Sequence, residues 1–113
     1  MNFVQMMAEL QAEYLASMPQ KLSDISAHLA AGDVATLRED FHKLKGTGKT
    51  YGIAEISELC EVVEKICLNK KGEAPAAVKV AMILLSEIHK ARLQKKAFSV
   101  SDRPDFLAMK KLL

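Results

Sequence analysis

Apolar residues recur every three to four positions along most of this chain, and the breaks between series fall at glycine, proline and short polar runs. One clear series is Val34, Leu37, Phe41, Leu44, Gly48 and Tyr51, the buried stripe of a helix that takes Asp33 as its N-cap. Upstream, Phe3, Met7, Leu10 and Tyr14 continue in phase through Met18, Leu22, Ile25 and Leu29. Pro19 disfavours a helical Met18 and removes one backbone donor, so the pattern predicts either a kinked helix or two abutting ones. Gly32 followed by Asp33 sets a helix stop beside a helix start and turns the chain back antiparallel after a very short connection. Gly52 ends the second series. Ile53, Ile56, Leu59, Cys60, Val63, Ile66 and Cys67 form the next apolar face, stopped by Asn69-Lys70-Lys71-Gly72 with basic residues in the last turn. Pro75 suits the first turn of a further helix with Val78, Ala81, Leu85 and Ile88 on its face, running to about Lys96.

Short connections and one apolar stripe per helix predict an all-α fold: an antiparallel four-helix bundle with an additional or kinked N-terminal helix and a short C-terminal tail helix. Residues 1–97 form the bundle and 98–113 the tail. In the tail, Ser99 to Pro104 reads as a loop, and Asp105 to Leu113 as a helix with Phe106, Met109, Leu112 and Leu113 on its apolar side. That helix either packs on the bundle or frays; the alternative is that it docks a partner.

Composition narrows the class further. A chain of 113 residues, half of them apolar, can bury one core, and its net charge of +2 is too small, with Lys and Arg too dispersed, for a nucleic-acid surface. Cys60 and Cys67 lie two turns apart on one face, with Cα atoms roughly 10 Å apart, too far for a bridge. They read as reduced, buried and cytosolic, and the six methionines as core filling. No long apolar run predicts a membrane span and the N-terminus lacks a signal-peptide pattern, so the expected location is the cytoplasm.

Chemistry concentrates at His42. At about 100° per residue it lies roughly 140° from the centre of the Leu37/Phe41/Leu44 stripe, facing solvent in a positive setting with Arg38, Lys45, Gly46 and Lys49 as neighbours. Gly46 and Gly48 each cost about 0.5 to 1 kcal/mol inside a helix. Gly48 points into the stripe and lets another helix come close, whereas Gly46 lies outward, one turn beyond His42, where the use of a missing side chain is clearance for something approaching the imidazole. His28 and His89 read as solvated helix residues. Glu39-x-x-His42 has the spacing of a di-iron bundle ligand pair, but Ile25 precedes His28 by three and Ser86 precedes His89 by three, so no second copy exists and no metal site is expected. A phosphate-binding glycine loop and kinase nucleotide motifs are both missing.

The run His42-x-Leu44-Lys45-Gly46-Thr47-x-x-x-x-Gly52 resembles the signature of histidine-containing phosphotransfer (HPt) domains. Tyr14-Leu15-x-x-x-Pro19-x-x-Leu22 and Ala30-Ala31-Gly32-Asp33 resemble the family's approach to the histidine helix, and Ile56-x-x-Leu59-Cys60-x-x-Val63-Glu64 resembles the helix that follows it. The resemblance covers about 90 of the 113 residues. It implies a phosphorelay intermediate of two-component signalling without kinase activity of its own. His42 would take a phosphoryl group from a receiver aspartate and pass it to another receiver. Lys45 would steady the phosphoryl oxygens, Gly46 would give clearance, and Arg38 and Lys49 would support phosphate or partner. Its partners would be receiver domains of response regulators or hybrid histidine kinases. It needs no cofactor of its own, since the metal belongs to the receiver, and it is expected to be a monomer. Lys49 departs from the family pattern, where that position is usually small. This leaves a second class open, a non-catalytic interaction module or pseudo-HPt whose Lys49 blocks the site.

Overall fold

A computed structural model describes residues 2–113, and five α-helices account for most of them: α1 (Phe3–Ala30), α2 (Val34–Thr50), α3 (Ala54–Asn69), α4 (Ala74–Leu93) and α5 (Pro104–Lys110). A single 3-10 turn, Lys71–Glu73, joins α3 to α4. The two predicted glycine stops are realised in the same way. Gly32 and Gly52 adopt left-handed φ values of 67° and 74°. Past each, the chain donates back into the helix just ended, from Asp33 N to His28 O and from Ile53 N to Gly48 O. Asp33 then caps α2 through Thr36 N, so one three-residue turn closes one helix and opens the next.

The α2 stripe folds inward as its spacing requires: Leu37, Phe41, Leu44 and Gly48 are buried and Val34 and Tyr51 half-buried. α1 lies antiparallel against it, with Gln11 reaching Tyr51 and Tyr14 reaching Thr47. α3 is the most enclosed helix, since its predicted apolar face is fully covered and Glu55, Ser57 and Glu64 are buried with it. Gly48 allows the close approach of α2 to α3. A Cβ there would stand 2.6 Å from Ser57 Oγ and 2.9 Å from Ser57 N. Ser57 Oγ in turn donates to Lys45 O across 2.6 Å, tying the two helices together beside His42.

The structure departs from the sequence pattern at several places. Of the two forms expected of α1, two abutting helices are excluded: it is one continuous 28-residue helix with Pro19 inside it. It is continuous because the acceptor that Pro19 strands, the carbonyl of Leu15, is taken by His89 Nε2 from α4 at 2.9 Å. His89 is therefore no solvated residue, and His28, though a third of its side chain is exposed, is tied through Nδ1 at 2.6 Å to Asp40 Oδ2 on α2. Phe3 and Leu10 keep the phase of the α1 stripe but are exposed, because α1 extends beyond the end of α2. α3 carries no basic residue in its last turn; Lys70 and Lys71 fall just after it. α4 stops at Leu93, short of Lys96, in a turn that holds Lys95 at φ 59°.

The tail is anchored. Val100, Phe106 and Met109 are buried, and Arg103 pairs with Glu87 of α4. At its root, Glu55 accepts from Arg92 Nε and Nη2 at 2.8 and 2.6 Å and from Phe98 N at 3.0 Å. One buried carboxylate thus joins α3, α4 and the tail.

Candidate functional site

His42 projects from the outward side of α2, with 59% of its side chain exposed. The inward edge of the ring is held: Nδ1 lies 2.8 Å from Glu64 Oε2, on α3. The other oxygen, Glu64 Oε1, accepts from Lys45 Nζ at 3.3 Å. The Glu64 side chain is only 10% exposed. Burial alone would raise its carboxyl, but the hydrogen bonds from His42 and Lys45 outweigh that and hold it below the usual carboxylate range. Glu64 is therefore ionised at neutral pH and can only accept. Nδ1 must therefore be the donor in this contact, and in the neutral ring that places the lone pair on Nε2, the nitrogen away from Glu64.

This corrects the electrostatics expected from the sequence. The charged group closest in hydrogen-bonding terms to the imidazole is an acid, and Lys45 is engaged by that same acid. Glu64 was not among the candidate residues. Its position carried a signal, since it falls four residues after Cys60 and three before Cys67, inside the apolar phase of α3, where a carboxylate must find a partner. The partner itself depends on how α2 packs on α3, which spacing within one helix does not reveal.

The other candidates distribute as follows. Gly46 sits on the exposed face, and a Cβ added there would meet nothing within 4 Å, so packing does not require the glycine. Lys49 is exposed and forms no ion pair among the described residues. Arg38 is half-buried, one turn before His42, in a hollow between α2 and α3 that it shares with Cys67, Leu68 and Lys71. Behind the site, Tyr14 OH and Thr47 Oγ1 lie 2.8 Å apart, and burial pushes the Tyr14 phenol up to about 12. The tyrosine is thus a fixed neutral strut under the C-terminal half of α2. Among the described residues, no three His, Cys, Asp or Glu side chains group as a metal site. None of the described helices is long and apolar enough to cross a membrane.

A single exposed imidazole, its neutral tautomer set by a buried carboxylate and flanked by a lysine and an open glycine, is an arrangement able to act as a nucleophile. The family model described as Hpt domain matches residues 9–94. The chain belongs to the Hpt domain family. Comparison with curated proteins and with solved structures gave no match. Hpt domains are phosphotransfer carriers in two-component signalling and partners of receiver domains, which sets the general role of this chain. The Hpt match takes in α2, α3 and α4 entire, with His42, Lys45, Gly46, Lys49 and Glu64. It leaves out the first turns of α1 and the tail from Lys95 onward.

Proposed function

We propose that His42 accepts a phosphoryl group on Nε2 from the aspartyl phosphate of one receiver domain and returns it to the aspartate of another. The observation that carries this reading is the contact between His42 Nδ1 and buried Glu64, which holds the neutral ring in the tautomer with its lone pair on the exposed Nε2. As the Nε2 lone pair attacks phosphorus, the bond from phosphorus to the aspartyl oxygen breaks and the carboxylate leaves. Positive charge developing on the ring is met by the carboxylate already bonded to Nδ1. The reverse step returns the phosphoryl group to an aspartate by the same geometry.

Phosphoryl transfer relies on placement and charge neutralisation more than on covalent chemistry. Lys45 supplies the neutralising cation, leaving Glu64 for the phosphoryl oxygens once these arrive, and Gly46 keeps the approach open. Arg38 and Lys49 extend the positive rim toward the partner. The metal ion that such transfer uses sits in the receiver, and this chain works without a cofactor and without kinase activity of its own. The reading is that of a cytoplasmic carrier built as an antiparallel four-helix bundle with a docked tail.

The test is to mix the purified chain with a panel of radiolabelled phospho-receivers. Acid-labile, base-stable label should appear on the wild type and vanish in His42→Gln with the helical spectrum unchanged. Label persisting on His42→Gln, or no label on the wild type from any receiver, overturns the reading.

A further inference from the structure

Among the described residues, three polar contacts join α2 to α3 beside the imidazole. His42 Nδ1 and Lys45 Nζ both meet Glu64, and Ser57 Oγ donates to Lys45 O across 2.6 Å. The last of these is not needed to satisfy the carbonyl. α2 runs on to Thr50, so Lys45 O already has its helical donor in Lys49 N, and the Ser57 bond is an additional one. It is also made in a demanding place. Ser57 is only 4% exposed, and its hydroxyl fits because Gly48 has no Cβ, which would stand 2.6 Å from Oγ. Alanine at position 57 would pack there without taking a hydroxyl out of water, so what the serine adds is a directional bond.

Ser57 and Glu64 lie seven residues apart, two turns along the face of α3 that meets α2, with Cα atoms separated by roughly 10 Å. The apolar contacts between the two helices are non-directional and set their spacing more than their register. Register decides whether Glu64 reaches the ring. A slide of α3 by about 1 Å carries the contact between Glu64 and Nδ1 out of hydrogen-bonding range or off line. Lys45 and Glu64 reach one another through flexible side chains, whereas Ser57 has a short stem and ends on backbone. We propose that Ser57 is a positioning residue for the imidazole: its bond to Lys45 O fixes the register of α3 against α2 that keeps Glu64 on Nδ1. Its effect on the ring follows from these contacts alone, and its effect on transfer rests on the relay reading of His42.

Nitrogen NMR of the neutral ring gives the first test. In Ser57→Ala the share of His42 protonated on Nε2 should rise at least about threefold, with an unchanged helical spectrum. Gly48→Ala keeps the hydroxyl but drives a Cβ against it, so it should move the proton the same way. Ile88→Val, buried on α4, lowers stability without touching the α2 to α3 contacts and should leave the proton on Nδ1.

Phosphoramidate gives the second test, since it supplies a phosphoryl group without a receiver: Nε2 bonds to phosphorus as the P–N bond breaks and ammonia leaves. Ser57→Ala should slow labelling of His42 at least about threefold. In a Glu64→Ala background the same substitution should slow it less than about 1.5-fold, because Ser57 acts through that carboxylate. A wild-type proton position in Ser57→Ala or Gly48→Ala, a proton displaced as far by Ile88→Val, or equal slowing with and without Glu64 overturns it. The ring is read without any transfer, so a chain that takes no label on His42 from phosphoramidate or from any receiver sinks the relay reading while the proton position still decides the role of Ser57.

Discussion

His89 donates from Nε2 to the carbonyl oxygen of Leu15 across 2.9 Å, and Leu15 is the residue whose helical hydrogen bond Pro19 cannot make. A side chain from α4 thus repairs a backbone defect in α1. The contact satisfies the acceptor that Pro19 strands inside an unbroken helix and ties α4 to α1 at that point.

The repair predicts non-additivity. His89→Ala strands the Leu15 carbonyl and should cost about 1 to 3 kcal/mol. In a Pro19→Ala background the helix supplies its own donor to that carbonyl, so the cost should fall below about 1 kcal/mol. Equal costs in both backgrounds, measured by urea unfolding, would show that His89 contributes by packing alone.

The Glu64 contact predicts a change of tautomer. Glu64→Ala removes the acceptor on Nδ1, so nitrogen NMR should show the proton distributed over both ring nitrogens instead of held on Nδ1. Phosphoryl acceptance should slow by roughly tenfold, and Glu64→Gln, which keeps an acceptor oxygen, should recover part of it. An unchanged proton position in Glu64→Ala counts against the lock.

The two neighbouring glycines should respond in opposite directions. Gly46→Ala adds a Cβ that meets nothing and removes chain entropy from the unfolded state, so it should stabilise by about 0.5 to 1 kcal/mol. Gly46→Leu should keep that stability while blocking transfer. Gly48→Ala drives a Cβ to within 2.9 Å of Ser57 N, a backbone atom that cannot swing aside, and should cost about 1 to 3 kcal/mol. Thermal melts and a transfer assay on the three variants separate packing from clearance.

These glycines also show what was legible in the sequence. Spacing identified Gly48 as an inward position and Gly46 as an outward one, because both follow from the phase of a single helix. It also identified which side of α1 is apolar, but not that Phe3 and Leu10 lie past the end of α2, since coverage depends on the neighbour's length. Glu64, Glu55 and His89 were missed for a related reason. Each is a polar residue whose partner lies on another element, 22, 37 or 74 positions away in sequence. For Glu64 and for Pro19 the sequence did carry half of the statement, an acid inside an apolar phase and a carbonyl bound to lose its donor. The other half required the packing.

Glu55 predicts the acid response of the fold. Burial alone would raise its carboxyl, but the donors Arg92 and Phe98 N outweigh this and hold it below the usual range. A carboxyl lowered on folding stabilises above its unfolded value of 4.5 and loses that contribution as pH falls through the folded value. Glu55→Gln should therefore cost about 3 kcal/mol at pH 7 and progressively less in acid. Because Phe98 N loses its charged acceptor, trypsin should also cut faster at Lys95 and Lys96. A cost that does not vary between pH 7 and acid places the effect in packing.

Lys45 and Lys49 should differ in how they answer to salt. Lys45 already pairs with Glu64 at 3.3 Å in a half-buried setting, so Lys45→Ala removes a phosphate contact and strips the carboxylate of a partner at once. Its effect on transfer should be the larger and should persist at high ionic strength. Lys49 is exposed and forms no ion pair among the described residues, and its long stem can place the ammonium near the incoming group. At roughly 5 Å such a charge is worth about 1 to 3 kcal/mol between bulk-water and protein-surface dielectrics, before side-chain entropy and screening reduce it. Lys49→Ala should therefore slow phosphoryl acceptance modestly at low salt, with the difference fading as salt is added. A Lys49→Ala chain that accepts phosphate faster than wild type would instead make this side chain a gate on which receivers can dock. In that case the excess should be largest for receivers with bulky or basic residues at the point of contact.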